Sequence, residues 1–205
     1  ANTVRPKRLS DYPGVPRVYL DVARKLSSPV LFGPPICDEL IALVEHLFTE
    51  EEAGVVRHLG LFVGRTAKDL ARREHRPVED VQRILHQLAM VKRAIAASGP
   101  EPKTKYRLLP VIPGIFEMVL IGESPDNLSP WHRRFAELCE ALYETGFSLD
   151  YARAQRKQAP VVRYLPVGRT IEAHPMALPS DQLAVILDRF SVFGIGQCQC
   201  RMAMQ

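Results

Sequence analysis

The sequence predicts a mainly α-helical protein with a small β element, an α+β class. Three observations predict it. Apolar residues recur at helical spacing in several segments, most of them opened by a capping residue. In one place, around residues 94–109, the period shortens to that of a strand pair. The 17 prolines in 205 residues exceed the usual share of about 5% and gather at 13–35, 100–113 and 160–179, which should be turns and extended connections. Hydrophobic residues make up 46% and charged residues 24%, ordinary for a globular chain, which excludes wholesale disorder and a membrane bundle. Apolar runs such as Val119-Leu120-Ile121 fall far short of the roughly 20 residues that span a bilayer. No basic stretch leads into an apolar one at the start, so no signal peptide is read. The expectation is a cytoplasmic protein with no membrane partner.

Residues 1–37 read as an N-terminal arm and one helix. Val15, Tyr19, Val22 and Leu26 keep helical spacing, and Arg24 and Lys25 suit the last turn of a helix over 17–26. Asp38 should cap the next helix, which carries Leu40, Ile41, Leu43, Val44, Leu47 and Phe48. Thr49 and Glu52 form a T-x-x-E capping box that opens a helix reaching about residue 59. Gly60 and Gly64 flank Leu61-Phe62-Val63. Thr66 should cap a third helix, with Leu70 and Ala71 inward. His75-Arg76-Pro77 is a turn, with Pro77 suited to the first position of a helix over 78–90. Val81, Ile84, Leu85 and Leu88 are its buried stripe. Ala94-Ile95-Ala96 and residues 105–109 should pair as a hairpin around a polar turn. Helices followed by a hairpin give the element order of a winged helix–turn–helix over residues 38–112, with 78–90 as recognition helix and the hairpin as wing.

Residues 113–205 read as a helical and extended region leading to a terminal C-x-C-R. A helix is expected over 114–121. Ser129-Pro130 starts another, on which Trp131, Phe135, Leu138, Cys139, Leu142 and Tyr143 share one face. That face is core or a contact surface. Its apolar area exceeds what a small satellite core needs, so the helices at 114–121 and 131–145 are expected to form an apolar contact surface, with a homodimer seam as one form of it. A strand at 161–165 and a helix capped by Ser180 should follow.

Charge is uneven. Residues 38–53 hold six acids and no Lys or Arg, whereas residues 57–93 hold nine bases and four acids. Such a basic segment either forms solvated helix faces or docks a polyanion. If duplex DNA is bound, Arg83, Lys92, Lys103 and Lys105 are the residues expected on phosphates, and Arg107 adds to the wing's charge. DNA is nevertheless not the favoured partner. Glu79 and Asp80 sit at the start of the recognition helix, where base-reading residues usually lie and where carboxylates repel phosphates.

The four cysteines stand at 37, 139, 198 and 200. Cys37 and Cys139 lie in apolar surroundings and read as core thiols. Cys198 and Cys200 form a C-x-C too tight for an ordinary disulfide, which is either chance or part of a metal or cluster site. No enzyme is read: the histidines at 46, 58, 75, 86, 132 and 174 show no metal or triad spacing, and no P-loop or G-x-G-x-x-G occurs.

Three stretches resemble one family. They are Leu47-Phe48-Thr49-Glu50-Glu51-Glu52-Ala53, the run Tyr106 to Glu117 (Y-R-L-L-P-V-I-P-G-I-F-E), and Cys198-Gln199-Cys200-Arg201. Together they resemble bacterial and archaeal iron–sulfur proteins of ferredoxin-like type with an N-terminal winged-helix region, across most of residues 38–205. The resemblance implies a 4Fe-4S cluster in the intact parent protein, with Cys198 and Cys200 as two of its ligands and a redox protein as partner. This sequence departs from the family pattern: no cysteine follows Cys200 and no C-x-x-C-x-x-C segment exists. The expectation is a chain cut before the cluster domain, with no cluster held by these residues alone. The implied function is electron transfer, the winged helix serving docking or regulation. The alternative is a redox-sensing DNA-binding transcriptional regulator.

Overall fold

The computed structural model describes residues 4–28, 33–124, 126, 128–148, 187–194 and 198. Contacts divide the chain into two units, residues 1–153 with 197–205, and residues 154–196. In the second unit the described residues, 187–194, are all exposed. The strand expected at 161–165 and the cap at Ser180 lie outside the described residues.

Among the described residues of the first unit there are seven α-helices and one two-stranded hairpin. Helix α1 spans Arg17–Leu26 and buries Leu20, Val22, Ala23 and Leu26. Helix α2 spans Asp38–Leu47. Asp38 is its first residue rather than its cap; Cys37 holds the cap position and makes no side-chain capping bond. The Asp38 carboxylate is engaged elsewhere, accepting from Lys7 Nζ at 2.6 Å and Tyr12 Oη at 2.9 Å.

Helix α3, Glu50–Val56, opens on the expected box. The Glu52 amide donates to Thr49 Oγ1 at 3.2 Å, and the Thr49 amide donates to Glu52 Oε2 at 2.8 Å. The helix stops at Val56, short of residue 59. His58 and Leu59 donate back to Val55 and Val56 in tighter i→i+3 bonds, which close the last turn. Helix α4, Ala67–Glu74, is capped by Thr66, with Asp69 completing a second box. It ends at His75 in the left-handed region (φ 53°), where Arg76 donates to the Ala71 carbonyl. Helix α5, Val78–His86, has Pro77 at its cap position, one residue earlier than expected. Beyond His86 the chain widens into a π-turn over Gln87–Val91, where Lys92 donates to the Gln87 carbonyl, so the α-helical part is shorter than 78–90.

Strands β1 (Ile95–Ser98) and β2 (Lys105–Leu108) pair antiparallel, Ile95 opposite Leu108 and Ser98 opposite Lys105. Period-two alternation turns Tyr106 and Leu108 inward and leaves Lys105 and Arg107 exposed. Arg65 extends the pairing. It exchanges two backbone bonds with Tyr106, at 2.9 and 2.8 Å, and Leu108 donates to the Gly60 carbonyl. Gly64 makes this approach feasible: a Cβ there would stand 2.8 Å from Lys105 Cβ.

Helix α6 covers only Phe116–Leu120, shorter than 114–121, because Ile112, Pro113 and Gly114 are not helical. Glu117 reaches back to accept from the Gly114 amide at 2.6 Å. Helix α7, Pro130–Glu144, starts as expected, with Ser129 as cap and Pro130 first inside. It packs on α2. Trp131 and His46 stack at 5.0 Å, Trp131 Nε1 donates to the His46 carbonyl, and His46 Nε2 lies 2.9 Å from the Trp131 carbonyl. Phe135, Leu138 and Leu142 are buried in a core that also takes in α1, α2 and the hairpin. Of the contact surface expected here, Phe135, Leu138 and Leu142 are core and Trp131 is half-buried, while Met118, Ile121 and Tyr143 remain exposed.

Candidate functional site

The chain's thiols separate by environment. Cys37 and Cys139 are 1% and 2% exposed. Burial pushes the Cys37 thiol up to about 11 and the Cys139 thiol up to about 12. Both stay protonated near neutrality and make poor ligands. Cys198 is exposed; Cys200 and Arg201 lie outside the described residues. A cubane cluster takes about four thiolates. With two of the four cysteines closed off in the core, the residues present do not fit a complete 4Fe-4S site. Among the described residues no group of three or more His, Cys, Asp or Glu side chains converges to hold a metal ion.

Two of the three motifs behind the resemblance have local roles. In Leu47–Ala53, the apolar Leu47, Phe48 and Ala53 are core, Thr49 and Glu52 are the capping box, and Glu51 pairs with Arg76. In the P-G-x-x-E run, Glu117 holds the Gly114 amide at the entry to α6. Each is the chemistry of a helix start.

The basic segment divides sharply. Lys92 Nζ donates to Glu52 Oε2 at 2.6 Å and to the Leu47 carbonyl at 3.1 Å, in an ion pair largely shielded from water. Lys92, one of the residues expected on phosphates, is thus engaged by protein partners. Arg57 donates to Glu74 Oε1 from Nε and Nη2, at 2.9 and 2.7 Å, and His58 Nε2 lies 2.6 Å from the same oxygen. Sequence reasoning missed Glu74 as the hub of this cluster; a lone acid among bases was its only signal. Arg76 pairs with Glu51, holding that carboxyl below its usual range. Arg93 pairs with Glu123 and donates to the Ile121 carbonyl.

Other bases stay on the surface. Arg83 is exposed on α5, and Lys103, Lys105 and Arg107 are exposed on the hairpin and its turn. Glu79 is exposed at the start of α5, as expected. Arg65, Arg72 and Arg73 line a cleft with Asp69 and were not singled out from the sequence. The loop ahead of Gly64 also presents Phe62 and Val63, 69% and 68% exposed. No described helix is long and apolar enough to cross a membrane. No family of known proteins, no curated protein and no solved structure matches the chain.

Proposed function

We propose that residues 38–112 form a winged helix serving as the docking or regulatory module of a cytoplasmic, ferredoxin-type iron–sulfur electron-transfer protein. The observation that carries the fold part is the joining of α4 and α5 by the short turn His75-Arg76-Pro77, followed by a hairpin that also pairs with Arg65. Docking on a redox protein is favoured over duplex DNA by the disposition of charge. Arg57, Arg76, Lys92 and Arg93 are spent on Glu74, Glu51, Glu52 and Glu123. The start of α5, which would enter the major groove, carries Glu79 and Asp80. Exposed Lys103, Lys105 and Arg107 favour the second reading, a redox-sensing DNA-binding regulator.

The cluster part rests on the chemistry of the C-x-C-R run. Two thiolates one residue apart suit iron–sulfur ligation, and the cation of Arg201 would favour the reduced, more negative cluster. The missing thiolates would come from outside these 205 residues. Anaerobic reconstitution of the full gene product with iron and sulfide tests this. Charge-transfer absorbance should appear and fall on Cys198→Ala and on Cys200→Ala. Full iron content in both variants would remove the two cysteines, and the electron-transfer reading with them.

A further inference from the structure

One cleft gathers arginine side chains that enter no ion pair among the described residues. Its volume is about 440 Å3, and Arg65, Asp69, Arg72 and Arg73 line it. Positions 69, 72 and 73 share one face of α4, so the helix carries both arginines past the same opening. Arg65 stands just before the α4 cap. Its backbone is fixed by the two bonds to Tyr106, so its side chain starts from a rigid anchor. The Arg65 Nε is shielded from water and has no hydrogen-bond partner. Shielded donors are usually matched, so the bare Nε is a cost of holding the Arg65 guanidinium at this cleft.

Asp69 offsets only one of the three positive charges: Arg72 and Arg65 help, after its bonds to Thr66, to hold its carboxyl below the usual range. Its carboxylate accepts from Thr66 Oγ1 at 2.7 Å and from the Thr66 amide, as part of the α4 capping box. Among the described residues, Arg65, Arg72 and Arg73 enter no ion pair, unlike Arg57 and Arg76. The positive potential extends to α1. Lys25 donates to the Leu59 carbonyl at 2.7 Å. Its ammonium is pushed below its usual range first by burial and then by Arg65, Arg24 and Arg73, with Asp21 opposing.

We infer that the cleft between Arg65 and the Arg72–Arg73 turn of α4 binds a phosphate-bearing anion, with the guanidinium groups of Arg65 and Arg73 as donors. Guanidinium groups present forked donors that match phosphate oxygens, and a side chain on a fixed backbone binds with less ordering cost. A singly charged carboxylate would leave most of the local surplus uncompensated, whereas a diphosphate would not. The inference does not depend on the iron–sulfur or docking reading.

The test is calorimetric titration of the full chain with pyrophosphate and with inorganic phosphate, at constant ionic strength set by chloride. The wild type should bind pyrophosphate saturably and more tightly than phosphate. Arg73→Gln should weaken binding by about tenfold or more, the scale of one charge-assisted hydrogen bond. Arg65→Gln should do the same, and Arg134→Gln, on exposed α7 surface, should leave binding unchanged. Arg73 is exposed, so its variant reads out even if the Arg65 change disturbs folding. Competition with short duplex DNA then names the source. Displacement assigns the anion to a nucleic-acid backbone, and failure to displace assigns it to a small phosphate compound; either outcome keeps the cleft as a phosphate site. Displacement would separately count against the docking reading. No saturable binding, or equal binding by both variants and the wild type, overturns the inference.

Discussion

The bases of residues 57–93 belong to two populations that differ in what holds them. Arg57, Arg76, Lys92 and Arg93 each reach a carboxylate on another element. They tie α3 to α4, α3 to the turns on either side of α5, and the end of the π-turn to the segment after α6. Arg65, Arg72 and Arg73 line one cleft together with Asp69 and enter no ion pair among the described residues. What differs is the chemistry around each base, and from it the kind of work each can do. A base held by Glu52 or Glu74 is scaffold, and removing it leaves a shielded carboxylate unpaired. A base beside other bases, with Asp69 as the one carboxylate in the cleft lining, carries positive charge that is only partly offset.

Variants can break this comparison, the largest effect first. Lys92→Met should destabilise the fold by about 3 kcal/mol, because it strands Glu52, itself only 7% exposed. Denaturant unfolding measures it; a loss under about 0.5 kcal/mol would place Lys92 with the surface bases. Glu74→Gln should cost about 2 kcal/mol, since Arg57 and His58 both lose their charged acceptor. If thermal unfolding of that variant matches the wild type, the hub is not structural. Thr49→Ala should cost about 1 kcal/mol through the lost cap on α3, a reference value for a purely local contact. Arg72→Gln should change stability by no more than about 0.5 kcal/mol in either direction, as removal of mutual repulsion offsets any lost contact. A large loss there would merge the two populations.

Acid sharpens the scaffold side of the comparison. His46, between α2 and Trp131, has its pKa lowered from 6.5, first by burial and then by Arg134 and Lys92, against the bond to the Trp131 carbonyl. The unfolded chain therefore takes up a proton at this site at higher pH than the folded one. Stability from this site is complete above pH 6.5 and falls as the pH drops toward the folded value. The unfolding midpoint of the wild type should drop over that interval, and His46→Gln should flatten the dependence.

Local chemistry made much of this fold legible. Thr49 with Glu52, Thr66, and Ser129 with Pro130 each announce a helix start within a few residues, and each is found where it was read. Helix ends were less legible. Residues 57–59 and 87–91 keep apolar spacing, but tighter i→i+3 bonds and a π-turn end the α-helix there. The face of Trp131, Phe135, Leu138 and Leu142 showed its apolar character but not its partner, which is α2, far away in sequence. The same limit hid the site chemistry. Lys92 and Arg83 look alike as letters; only the fold brings Glu52, 40 residues away, against Lys92 and leaves Arg83 exposed. The Arg65 cleft went unread because its orphaned Nε is a property of packing.

Four of the nine bases in residues 57–93 are scaffold, and the proposed docking role gives the hairpin-bearing module a protein partner rather than DNA. The salt dependence of duplex DNA binding by the full chain tests it most directly. Each phosphate contact adds about 0.9 to the magnitude of the log–log slope. The account predicts weak binding without sequence preference and a slope of about 3 or less, unchanged by Lys92→Met. Tight, sequence-selective binding at physiological salt, with a slope near 6 that falls on removal of Arg83, Lys103 or Lys105, would contradict it.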